Sequence, residues 1–325
     1  MNYKIIPLIL LTCGLVAGGC KRHAAPSVNP SSPEPAPQAA APTDATALPA
    51  DIRPSLVLYY DFNTEPVDGK VPDQSGRGND GLAVGIQWVA DGHQGGSVLF
   101  GLTNSYITVP NNDSINPPHL TMAAWIKTSF KDPVWRRIFD KGTGKGYVLS
   151  MCGIENDNQR SFEGQVDIEP GKTWAHSGMQ VTDGNWHHVV GTFDGEFAKV
   201  YVDGWRVGSQ GHWVGELPNT PYDLTIGANR SNPDPNIGEV GSSFNGMMDD
   251  VMMFNRALSN DEVQELFKSV GGVLGPKPAP PPPPAGTQPK PSAADRLKQL
   301  KQLLDQGLIN QDEYDQKKKA ILDSM

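Results

Sequence analysis

The chain is short of cysteine, lacks any surplus of positive charge, and has no apolar run long enough to remain in a membrane. Three cysteines in 325 residues give no disulfide framework and no spacing suited to a metal cage. Cys13 lies in an apolar leader and Cys20 at its end, so Cys152 is the one thiol left in the body of the chain. It closes the strand-length apolar run Tyr147–Cys152 and reads as a buried, inert side chain. The formal charge of -9 is the opposite of the basic footprint that phosphate backbones require, which excludes nucleic acid as a partner. The apolar run Ile5 to Val16 falls short of the roughly 20 residues that cross a hydrocarbon core. Hydrophobic residues make up only 38%, because two polar, proline-rich stretches dilute a body that has enough of them for a core.

What is present begins with an export signal: Lys4, then Ile5 to Val16, then the small residues Ala17, Gly18 and Gly19. The segment Ala17-Gly18-Gly19-Cys20 resembles the bacterial lipobox, with Ala17 where leucine is commoner. The resemblance implies that Cys20 is acylated and becomes the mature N-terminus. The chain would then be anchored to the lipid bilayer of the cell membrane or outer membrane, with its domain in the periplasm or on the cell surface. Lys21 is not the aspartate associated with inner-membrane retention, which favours the outer membrane. The other reading is an ordinary signal peptide that Cys20 merely adjoins.

From Lys21 to Pro54 the sequence is mostly Pro, Ala and Ser, which cannot offset the entropy of folding. Extended at about 3.1 Å per residue, this tether would reach roughly 100 Å. A second linker, 275–292, contains the run Pro280 to Pro284. Between them, residues 55–274 alternate short Val, Ile, Tyr, Phe and Trp runs with Gly, Asn and Asp, a strand pattern. The clearest strands are Leu56–Phe62, Tyr106–Val109, Thr121–Lys127, Tyr147–Met151, Trp186–Phe193, Lys199–Val202, Leu224–Gly227 and Met247–Phe254. Asp203-Gly204 joins two runs with the residues a type I′ hairpin requires. No helical periodicity intervenes before Ser259, so the body is all-β, two packed antiparallel sheets. Ser259 and Glu262 then form a capping box, Leu258 and Val263 a staple, and Leu266 and Phe267 an apolar face before Gly271-Gly272. In the tail, 293–325, Leu297, Leu300, Leu303 and Leu304 make one helical stripe before Gly307. Asn310 with Glu313 caps a second helix carrying Tyr314, Ile321 and Leu322. So small a helical hairpin needs a partner or a second copy for its apolar faces.

Four segments together resemble the laminin-G-like, concanavalin A-like jelly roll. They are Tyr59–Asn63 with Asp73–Gly81; Gly95–Phe100 with Tyr106–Pro110 and Thr121–Ile126; Asp183–Gly195 with Val200–Gly204; and Phe244–Val251 with Arg256–Ser259. The resemblance implies an antiparallel jelly-roll β-sandwich, a fold that hosts lectins, glycanases and adhesion modules alike. Glucan-cleaving members resemble one another in a Glu-x-Asp-x-x-Glu strand that sets acid and nucleophile on one face. Here Glu155 and Asp157 have the two-residue step, but Arg160 stands where the third carboxylate would. The tail resembles the short C-terminal (SHOCT) domain in Leu300–Ile309 and Glu313–Asp315, which implies association or docking.

These readings name the candidate sites. His187 and His188 are consecutive on a strand and point to opposite faces, so they are structural rather than paired metal ligands. The jelly roll often holds a structural calcium where its first and last strands meet, which implies Asp61, Asn63, Asp249 and Asp250 as oxygen donors. Alternation admits only one of the adjacent aspartates, and Asp249 is preferred because Val251 and Met253 would share its buried face. Alternatively these aspartates bond loop amides. Trp135, Trp174, Trp205, Trp213 and Tyr222 fall in loops or turns and offer flat faces to sugar rings, with Trp135, Trp174, Trp213 and Tyr222 the foremost ligand candidates. Trp125 and Trp186 read as core. The expected function is binding without catalysis, of a glycan foremost. The competing class is adhesion to an envelope protein, with self-association through the tail, and a polysaccharide hydrolase ranks behind both.

Overall fold

Alternating apolar runs bounded by Gly, Asn and Asp do fold as antiparallel strands here. The computed structural model describes residues 45, 47–101, 104–131, 135–142, 145–151, 165–229, 242–279, 293–305 and 310–323. Cys20, Cys152, Glu155 and Asp157 lie outside these. In chain order the strands are β1 (Leu56–Tyr60), β2 (Lys70–Val71), β3 (Gly81–Val84), β4 (Gln87–Val89), β5 (Ser97–Phe100), β6 (Tyr106–Val109), β7 (Leu120–Lys127) and β8 (Arg136–Asp140). There follow β9 (Tyr147–Met151), β10 (Gln165–Pro170), β11 (Ala175–Gln180), β12 (Trp186–Phe193), β13 (Phe197–Val202), β14 (Trp205–His212), β15 (Leu224–Ile226) and β16 (Gly246–Phe254). Among the described residues three α-helices follow: α1 (Asn260–Ser269), α2 (Ala293–Asp305) and α3 (Gln311–Asp323).

One sheet runs β14-β13-β12-β7-β16-β5-β4, with β1 also paired to β16, and the other runs β11-β10-β9-β8-β15-β6-β3-β2. The link at Asp203-Gly204 has φ of 50° and 78°, as a type I′ turn requires. Between the sheets pack Leu58, Tyr60, Ile107, Met122, Leu149, Val189 and Met253. The outer face of the first sheet is buried as well, where Tyr59, Trp125, Tyr201, Met252 and Phe254 meet Val263, Leu266 and Phe267 of α1. A sheet covered on both faces explains why β1 and the second half of β16 read as unbroken apolar runs. The Ser259 cap and the reciprocal Glu262 bond are both formed, and Gly271 takes φ 83° after the helix.

Two expectations need correcting. Leu48 and Ile52, assigned to the tether, are 2% and 0% exposed and belong to the outer cluster. The globule thus starts earlier than Ser55, and two isolated apolar residues were lost in Pro- and Ala-rich surroundings. The second correction concerns β16. Asp249 pairs with Trp125 and Met252 with Ala123, so β16 carries one extra residue there, a bulge at Asp250 with φ 47°. The bulge reverses the alternation. Met248, Val251 and Met253 face between the sheets while Met252 and Phe254 face α1, so Asp249 does not share a face with Val251 and Met253.

At one side of the sandwich the two sheets close on each other through β14 and β11. The His176 N–H donates to Ser209 Oγ at 2.9 Å, and a Cβ on Gly208 would lie 1.8 Å from the His176 carbonyl oxygen at φ +65°. Gly208→Ala should therefore cost about 2 kcal/mol or more, combining left-handed strain with a backbone clash. Gly78→Ala, with φ +77° and nothing within 4 Å, should cost about half that, and thermal unfolding of both variants checks the contrast. In the tail, Leu300 is buried, Leu297, Leu304, Tyr314 and Ile321 are half-buried, and Leu303 is 39% exposed. Asn310 and Glu313 bond reciprocally at 2.9 and 3.0 Å, forming the second cap. No helix among the described residues is long and apolar enough to cross a membrane.

Candidate functional site

One end of the sandwich is built by the loops after β6, β8, β10, β12 and β14. Backbone bonds lace them together: Gly171 N–H to Gly146 O at 2.9 Å, Trp213 N–H to Glu196 O at 2.9 Å, and Leu217 N–H to Pro118 O at 3.0 Å. This end carries Trp174, Trp213 and Tyr222. Trp135 precedes β8 and lies at the opposite end, beside Arg136, whose Nη1 donates to Ser243 O at 2.8 Å. Three of the four foremost aromatic candidates are thus brought to one end and the fourth is not.

The three do different work. Trp213 stacks on Phe193 with centroids 5.4 Å apart and planes at 9°. Its ring is hemmed in by Gly171 and Gly215, where a Cβ would approach it to 2.5 and 2.8 Å, so it is a packing residue that closes the core. Trp174 is 49% exposed. Tyr222 is half-buried, with Lys145 Nζ 3.3 Å from its hydroxyl. Its carbonyl accepts a bond from Lys141 Nζ, which also donates to Asn111 Oδ1 at 2.7 Å. Burial lowers the Lys141 ammonium from 10.5 to about 8, opposed by the charge of Asp223. Asp223 in turn accepts the Asn111 N–H at 2.8 Å. Trp205 is tied down through Nε1 to Gly275 O at 3.0 Å.

The metal candidates meet where β1 and β16 pair. Asp249 Oδ2 accepts the N–H groups of His93 and Gln94 at 2.9 and 3.0 Å, and Oδ1 accepts the Asp250 N–H at 2.8 Å. The Tyr59 hydroxyl donates to Asp250 Oδ1 at 2.6 Å, while Asp250 Oδ2 is buried with no hydrogen-bond partner. Asn63 bonds to Asp61, N–H to Oδ1 at 3.3 Å and Nδ2 to Oδ2 at 3.1 Å. Burial raises both adjacent carboxyls, and the charge of Asp61 adds to each. An orphaned buried carboxylate oxygen beside like charges is donor chemistry that suits a hard cation. Asp249, by contrast, is already engaged by three amides. Among the described residues no three His, Cys, Asp or Glu side chains gather as a cage.

The two histidines diverge as alternation requires. His187 Nδ1 lies 2.8 Å from Asp203 Oδ2 and its Nε2 lies 3.1 Å from Asp183 Oδ1. His188 is fully buried under α1, 5.6 Å from the Phe267 ring. Trp125 is buried, and Trp186 is half-buried against the same cluster. Sequence reasoning missed His93, whose ring stacks on Trp125 at 3.5 Å; no local pattern marks a loop residue that packs onto a distant strand.

Two facing antiparallel sheets, with first and last strands paired and loops massed at one end, define a jelly-roll β-sandwich of the lectin-like class. Residues 101–264 match the model of the concanavalin A-like lectin/glucanases superfamily, half of the chain, and the chain belongs to that superfamily. Residues 295–322 match the short C-terminal domain. Among solved structures, the binding domain of Paraclostridial Mosquitocidal Protein 1 is similar at 18% identity and TM-score 0.51, covering 67% of this chain and 53% of that one. The chain thus spans about half of that toxin chain. Domain 4 of AbnA, a GH43 extracellular arabinanase from Geobacillus stearothermophilus solved with arabinotriose, is similar at 17% identity and TM-score 0.50, covering 65% of this chain and 98% of that one. Such identities show the fold alone. No curated protein matches the chain in sequence.

Proposed function

We propose that the chain is a non-catalytic glycan-binding module of the cell envelope, anchored to a bilayer through acylated Cys20. The observation that carries the ligand is Trp174, a tryptophan 49% exposed at the loop end, with half-buried Tyr222 and exposed Asn111 and Asp223 on the same end. Flat aromatic faces pack on sugar CH groups, and neighbouring amides and charges bond the hydroxyls. A superfamily neighbour solved with arabinotriose makes short arabinan and other plant or bacterial oligosaccharides the first ligands to try. Binding without catalysis is supported by the placement of the two raised carboxyls. Asp249 and Asp250 are adjacent on one strand, bonded to backbone amides and Tyr59, rather than opposed across a cleft as glycosidic cleavage requires.

Glycan-array binding tests this reading. Trp174→Ala should weaken binding roughly tenfold, whereas Trp135→Ala at the far end should leave it unchanged. Equal binding by wild type and Trp174→Ala would remove the loop end as the site. A structural calcium at Asp250 belongs to the same proposal: protein carbonyls and waters would complete the six to eight oxygens it takes. The competing reading, assembly with an envelope protein or a second copy through the tail, is favoured by the exposure of Leu303 and predicts no competition by free oligosaccharides.

A further inference from the structure

A concavity opens on the same end of the sandwich, away from Trp174. It has a volume of about 310 Å³ and is lined by Val57, Arg77, Asp113, Asn116, Pro117 and Asn255. These come from β1, the loop after β2, the β6–β7 loop and the residue after β16. At this end β1 is five strand positions from β14, about 24 Å at about 4.8 Å per strand, so the pocket and the Trp174 rim are separate.

Its walls are held in place before any ligand arrives. Arg77 donates from Nε to Leu56 O at 3.4 Å and from Nη2 to Pro54 O at 3.0 Å. Asn79 Nδ2 donates to Val57 O at 2.6 Å and to Ser114 Oγ at 2.8 Å, and Asn112 Oδ1 accepts the Ser114 N–H at 2.9 Å. Asn116 is fully engaged, its Nδ2 on Asn111 Oδ1 and Asn112 O at 2.9 Å each and its Oδ1 on the Thr220 N–H at 3.1 Å. Three groups stay available. Arg77 Nη1, the Asp113 carboxylate and the Asn255 carboxamide make no hydrogen bond or ion pair with the described residues.

A guanidinium donor, a carboxylate acceptor and an amide that does both stand around buried Val57 and Pro117. Their charges cancel, so a phosphate or other anion would gain from Arg77 only what it lost against Asp113. A neutral ring with several hydroxyls satisfies all three, and its CH face can lie on the apolar floor. The volume is at the small end for ligand pockets. We infer that this pocket takes a single neutral sugar ring, its hydroxyls shared among Arg77, Asp113 and Asn255. The inference rests on the glycan reading above and adds a second, distinct contact point to it.

Saturation-transfer NMR on the full chain, with arabinose, galactose, glucose and N-acetylglucosamine as separate probes, tests it. At least one should receive saturation from wild type and from Trp174→Ala. That signal should fall tenfold or more in Asp113→Ala and in Asn255→Ala, both exposed positions whose replacement leaves the fold intact, as circular dichroism would verify. Transfer that survives both substitutions overturns the pocket. So does the absence of monosaccharide transfer while oligosaccharides still bind through Trp174, an outcome that leaves the broader reading standing. If no glycan of any length binds, both fail.

Discussion

Acidification from pH 7.5 to 4.5 should cost wild type about 3 kcal/mol more stability than it costs His188→Leu. His188 is 0% exposed, its ring centroid 5.2 Å from that of Trp125, and neither ring nitrogen has a hydrogen-bond partner. Burial lowers it from 6.5 to about 3, the Asp203 charge opposing and the His93 charge adding. The folded chain therefore refuses a proton that the unfolded chain accepts once the pH falls below 6.5. Stability is complete above 6.5 and is lost at about 1.4 kcal/mol per pH unit down toward 3, or about 3 kcal/mol at pH 4.5. His93, lowered by burial to about 4, adds a loss of the same sign. Asp249 and Asp250, raised by burial, act oppositely in part of this window, so the readout is the difference between wild type and His188→Leu in urea unfolding at the two pH values. Identical pH slopes in the two proteins would show that the ring is hydrated in the folded state.

That imidazole pair also marks where sequence reasoning reached and where it stopped. Alternation along β12 separated His187 from His188 correctly, because the strand is regular and period two holds. The same rule misassigned Asp249, because a bulge consumes one residue of β16 and nothing in Met248-Asp249-Asp250-Val251 announces it. Strands rich in Val, Tyr and Trp were legible, as were the Asp203-Gly204 turn and the Ser259–Glu262 cap, since each follows from local conformational preference. β8, β10 and β11 were not. Arg136-Arg137 and Ala175–Gln180 lack the expected composition; β8 is a strand because β9 and β15 supply ladder bonds on both sides, and β11, at the sheet edge, because β10 does so on one, a tertiary cause that local propensity does not contain. For the candidate site, residue type identified Trp174 and Tyr222, but only the loop lacing separates them from Trp135 and shows Trp213 to be core. The Arg77–Asp113–Asn255 pocket was invisible in the sequence, since its members come from distant segments brought together by the pairing of β1 with β16.

Asp249→Ala should be the most damaging single substitution at the strand junction, and equally so with calcium or with chelator. Its carboxylate is the acceptor for the N–H groups of His93, Gln94 and Asp250, and its removal leaves three amides without that partner where water has little access. At about 1–3 kcal/mol per unsatisfied buried group, the expected loss is about 4 kcal/mol, with partial rescue in Asp249→Asn, which keeps one acceptor oxygen. Asp250 differs because its Oδ2 has no partner and burial beside Asp249 favours its neutral form. Asp250→Asn mimics that neutral form, so in chelator it should be neutral or stabilising, while any rise in melting temperature that calcium gives wild type should vanish. The two substitutions thus separate an amide-bonding carboxylate from a cation-binding one. Wild-type melting that is unchanged by calcium would dispose of the metal proposal, and the effect of Asp249→Ala would remain, because it rests on the three amide bonds alone.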